Sequence, residues 1–68
     1  MDPNVAWRQL KEAEANHDRG MILAIAFDLG HWLENGGFPP DGMTHAQATL
    51  YCDKIVAHTT TAIEQLTS

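Results

Sequence analysis

The chain predicts an all-α fold, a three-helix bundle, on three observations. From Met21 to Leu33 only Asp28 and His31 are ionisable, and Glu34-Asn35-Gly36-Gly37-Phe38-Pro39-Pro40 follows at once as a stop signal. Asp2-Pro3 and Thr44-x-x-Gln47 are helix starts placed before two further segments of helical apolar period. No strand alternation competes, because the β-branched Thr59-Thr60-Thr61 lies inside a helical period.

The first helix is expected over about 3–17. Asp2 is a good N-cap, and Pro3 stands at the first helical position, where its missing N–H costs nothing. Ala6, Leu10, Ala13 and His17 form its apolar stripe, with Trp7 beside it. Asp18 caps a second helix over about 19–35, with Gly20 as an early weak point. So short a connection makes these two helices an antiparallel hairpin. Gly36 suits the left-handed position after the helix, Phe38 is placed to fold back on its last turn, and Pro39-Pro40 forbids continuation.

The third helix is expected over about 44–66. Thr44 and Gln47 make a capping box, with Met43 and Ala48 as its hydrophobic staple. At about 100° per residue Ala48, Ile55 and Ala62 share an azimuth, flanked by Cys52, Thr59, Leu66, Val56 and Ile63. This stripe is rich in small residues. Leu50 falls well off it and Tyr51 lies at its edge.

The hairpin resembles a tetratricopeptide repeat in Trp7-x-x-Leu10 and Phe27. Leu23 stands where that repeat takes a small residue, and Glu14 where it takes an aromatic one. With a single unit present, the resemblance implies shared hairpin geometry and nothing about function.

Sixty-eight residues allow one domain with a marginal core, so disulfides, a metal or oligomerisation would be the usual reinforcement. Cys52 is the only cysteine, which rules out an intrachain disulfide and favours a reducing, cytoplasmic setting. No signal peptide is read at Met1-Asp2-Pro3-Asn4, and the apolar run is too short to span a bilayer. A net charge of −5, with only Arg8, Lys11, Arg19 and Lys54 as cations, argues against direct nucleic-acid binding. Membrane-surface helices carry basic polar faces, whereas the second helix offers Asp28, His31 and Glu34.

Candidate chemistry is sparse. Glu14-x-x-His17 has the spacing of di-iron carboxylate helices, but Asp28-x-x-His31, the nearest second copy, lies on a polar face. His31, Asp41 and His45 are a second candidate metal set, because a bundle brings the end of the second helix beside the start of the third. Cys52 sits on the apolar stripe, where a thiol is a small hydrophobe, and His45 is two turns away from it. No cofactor is expected, and no enzyme.

The second helix carries more apolar surface than one core face needs. Ile22, Ile25, Ala26, Leu29, Trp32 and Leu33 make the core face, while Leu23 and Phe27, with Gly30 near them, widen it to roughly 200°. That surplus predicts a contact with another chain through Leu23, Phe27, Gly30, Leu50 and Tyr51. The expected function is a non-enzymatic protein–protein interaction or assembly module, a dimer or higher oligomer that also binds another protein. The alternatives are an acidic, phage-type inhibitor that covers a basic nucleic-acid-binding surface of its target, and a metal-binding helical assembly.

Overall fold

A computed structural model describes residues 1–67, apart from the Thr67 side chain. It contains three helices, α1 (Pro3–Ala15), α2 (Arg19–Glu34) and α3 (His45–Thr67). Asp2 caps α1, its carboxylate accepting from the Asn4 and Val5 N–H groups. Asp18 caps α2 through the Met21 N–H. At α3 the expected capping box is reciprocal: Gln47 N–H donates to Thr44 Oγ1 at 3.0 Å and Thr44 N–H to Gln47 Oε1 at 2.9 Å.

Both helix ends before α3 close in the same way. Gly36 has φ +84°, its N–H donates to Leu33 O, and Gly37 N–H donates to Trp32 O. This is a Schellman motif, which satisfies carbonyls left over at the helix end. The end of α1 repeats it: His17 N–H donates to Glu14 O, Asp18 N–H to Ala13 O, and His17 has φ +53°. The first helix therefore stops at Ala15, and His17 is an exposed turn residue, not a member of the apolar stripe. Pro3 takes its place among the buried residues of α1. A side chain in the left-handed region is strained, so His17→Gly should stabilise the protein by about 1 kcal/mol in a urea melt. An unchanged or lower midpoint would contradict that assignment.

The middle helix organises the molecule. Its buried residues Ile22, Ile25, Ala26, Leu29 and Leu33 meet Ala6, Leu10 and Ala13 of α1 on one side and Ala48 and Cys52 of α3 on the other. Among the described residues no Cα of α1 comes within 8 Å of one in α3, so those helices meet only through side chains. Trp32 is only partly buried, at the edge of this face.

The long α2–α3 connection is pinned at three points. Trp32 Nε1 donates to Phe38 O at 2.9 Å, and the two rings meet edge to face at 5.6 Å. Pro40 is fully buried, as is Pro3. Beside them Asp41 N–H donates to Asn4 Oδ1 at 2.7 Å, which ties the loop to the first turn of α1. A Cβ on Gly37 would run into the Trp32 indole, so this backbone passes where only glycine fits.

At 23 residues α3 outruns the 16-residue α2 by about 10 Å of helix. Its small-residue stripe is accordingly divided. Ala48, Cys52 and Thr59 are buried and Ile55 and Val56 partly so, whereas Leu66 is 70% exposed. The Ala48, Cys52 and Thr59 positions of the stripe are thus spent inside the chain. No helix among the described residues is long and apolar enough to cross a membrane.

Candidate functional site

The residues expected to form a contact surface separate into three groups. Phe27 is 59% exposed, Leu23 is half-buried next to it on the helix, and Gly30 lies one turn on. Gly30 approaches α3 closely, since a Cβ there would sit 3.9 Å from Cys52 Cβ. Leu50 is 54% exposed on the outer face of α3, remote in azimuth from its buried stripe.

Tyr51 has a different job. Its hydroxyl donates to the Glu14 carboxylate at 2.7 Å and accepts from Lys11 Nζ at 2.9 Å, while its ring meets Trp7 edge to face at 4.7 Å. Lys11 Nζ also lies 3.6 Å from Glu14 Oε2 and 5.0 Å from the Tyr51 ring centroid. This cluster bridges α1 and α3 where their backbones do not touch. Tyr51 thus makes polar and ring contacts within its own chain while staying partly exposed. No local pattern announces the cluster, because Glu14 and Tyr51 are brought together only by the packing of both helices on α2.

The cluster gives the protein an alkaline dependence. Burial is the main cause pushing the Tyr51 phenol above 10.0, and the hydrogen bond to Tyr51 is the main cause lifting Lys11 above 10.5. Both groups bind protons more tightly in the folded chain. Their contribution is complete below those ordinary values and is lost as pH rises through the raised ones. Melting temperature should therefore fall above about pH 10, and Tyr51→Phe should flatten that fall. At pH 7 the same substitution should cost about 1 kcal/mol, since the partners are partly exposed. An equally steep alkaline decline in Tyr51→Phe would contradict this.

The metal candidates are not assembled. His45 Nε2 lies 2.7 Å from Leu33 O, Asp41 is held through its N–H by Asn4, and His31 is exposed on α2. Glu14-x-x-His17 fails as a helical motif because His17 has left the helix. Among the described residues no three His, Cys, Asp or Glu side chains are grouped as metal ligands. A hollow of about 200 Å³ between Glu14, His17 and His58 also contains Arg19, which opposes a bound cation.

Cys52 is buried, and burial, with a smaller contribution from the Asp53 charge, pushes its thiol pKa up. That is the opposite of an activated nucleophile.

The feature that sets an exposed aromatic beside charge is a shallow groove of about 460 Å³ between α2 and α3. Ala26, Gly30 and Cys52 supply its apolar lining and Phe27 stands at its wall. Asp28, Glu34 and Asp53 bring carboxylates, and His31 an imidazole. No Lys or Arg lines it. Azimuth on α2 marks Phe27 and Gly30 and gives its polar face Asp28, His31 and Glu34, while Asp53 joins them only through the α2–α3 register.

Fold and groove together define a small all-α protein with an acidic, aromatic-walled cleft between two antiparallel helices. Comparison with protein-family models, curated proteins and solved structures finds no match.

Proposed function

We propose that this chain is a non-enzymatic interaction module that binds protein through the α2–α3 face centred on Phe27. The observation that carries the reading is a phenyl ring left 59% exposed beside a groove lined by Ala26, Gly30 and Cys52. Aromatic side chains over small, closely packed neighbours are the usual anchors of protein interfaces. The Cys52 thiol, buried and with its pKa pushed up by burial, lacks the activation of a catalytic nucleophile. Leu50 offers a second, separate apolar point on α3. A second copy and another protein both remain occupants of this reading. The cytoplasm is the setting we propose, where a lone thiol stays reduced.

The acidic-inhibitor alternative gains from one observation: the carboxylates Asp28, Glu34 and Asp53 lie on the same face as Phe27. Such a protein would cover a basic surface of its target.

Phe27→Lys tests the contact reading. The side chain is exposed, so stability should change by no more than about 0.5 kcal/mol. In size-exclusion chromatography of a native extract, the wild-type chain should elute in a species larger than its own 7.5 kDa. The variant should return to the monomer position. Unchanged elution of Phe27→Lys, or a wild-type chain that elutes as a monomer, contradicts the reading.

A further inference from the structure

We propose that the occupant of the α2–α3 groove is a basic amphipathic segment of another protein, seated by an apolar anchor against Phe27 and by Lys or Arg side chains on Asp28, Glu34 and Asp53. The inference rests on the reading of this face as a contact surface and names the chemistry of its partner. Charge decides it. Three carboxylates line a groove that holds no Lys or Arg. The Lys and Arg side chains of the chain are placed elsewhere. Lys11 is engaged with Tyr51 and Glu14, Arg19 lies in the hollow with His17 and His58, and Lys54 borders Tyr51, Ile55 and His58. Arg8 is exposed on α1, at an azimuth opposite the buried Leu10.

A second copy is a poor occupant for the same reason. A two-fold dimer apposes the same patch from each protomer, so it would bring one acidic Asp28, Glu34 and Asp53 patch against the other. Like charges desolvated together oppose association, whereas a basic partner gains both attraction and orientation. The lining supports a segment and not a flat surface. Phe27 and Gly30 of α2 and Cys52 and Asp53 of α3 line a concave strip, against which an amphipathic helix can lay its apolar face in the helix-in-groove manner.

The test uses two synthetic amphipathic helices of equal length that share a leucine face, one with lysine and the other with glutamate on the polar face. Each is titrated into the ¹⁵N-labelled full chain. The Leu/Lys peptide should saturate shifts at Phe27, Gly30, Glu34 and Asp53, weaken as salt is raised, and bind at least about tenfold more weakly to Glu34→Lys/Asp53→Lys. Both positions are exposed, and a thermal melt of the double variant confirms that it is folded. Equal binding of the Leu/Glu peptide, or undiminished Leu/Lys binding to the double variant, overturns the charge inference and leaves the contact surface standing. Concentration-dependent shifts on this face without peptide overturn it in favour of a second copy. Shifts away from the groove, or none with either peptide, overturn the inference and the contact reading together.

Discussion

Leu29→Ala should cost about 3–4 kcal/mol and lower the melting temperature by roughly 15–25 °C. Leu29 is fully buried at the centre of α2, the helix that packs against both of its neighbours. Its azimuth falls between Ile25, on the α1 side, and Ala26, on the α3 side. The cavity left by truncation therefore opens toward both interfaces. The rest of the core cannot absorb the loss. Its large, fully or nearly fully buried aliphatics are Leu10, Ile22, Ile25, Leu29 and Leu33, and the remainder is alanine and Cys52. A chain of this length has about 3–10 kcal/mol of total stability, so the variant should be partly unfolded near body temperature. Circular dichroism melts measure this directly. A loss below 1 kcal/mol would mean that α2 is not the central helix.

Gly37→Ala should be the most damaging loop substitution, at about 2–3 kcal/mol. The added methyl would meet the indole of Trp32, a rigid ring held by its hydrogen bond to Phe38 O and by the Phe38 ring. Making room for it breaks that bond and loosens the loop that Asn4 ties to α1. Gly36→Ala is the informative comparison. Gly36 has φ +84° but open space around it, so an alanine there carries only a conformational cost of about 1 kcal/mol. The steric cost at Gly37 should exceed it. Urea denaturation of the two variants, read by tryptophan fluorescence, checks the order; a larger loss in Gly36→Ala would contradict the packing described for Trp32.

The parts of the fold that were legible in the sequence are those specified within a few residues. Asp2, Asp18 and the Thr44/Gln47 pair mark helix starts because capping is a local exchange of hydrogen bonds. Gly36 and Phe38 mark the end of α2 for the same reason. His17 misled because its spacing from Ala13 continues the stripe, while the preference of the turn for a left-handed residue outweighs that period. Tyr51 was placed on a contact edge, and its partners Lys11 and Glu14 lie on another helix. The exposure of Phe27 followed from counting azimuths on α2. The carboxylates Asp28 and Glu34 are equally local to α2, whereas Asp53 joins them only once α2 and α3 adopt their register.

The central claim is that the face around Phe27 holds a basic segment of another protein. A photo-reactive phenylalanine analogue at position 27, activated in the native cell and followed by mass spectrometry of the adduct, tests it most directly. Glu12, exposed on α1, provides the control position. The account predicts an adduct at position 27 and none at position 12, joined to a peptide of another protein rich in Lys and Arg with apolar residues at helical spacing. Adducts to a second copy of the chain, to an acidic or uncharged peptide, or equally at both positions would contradict it.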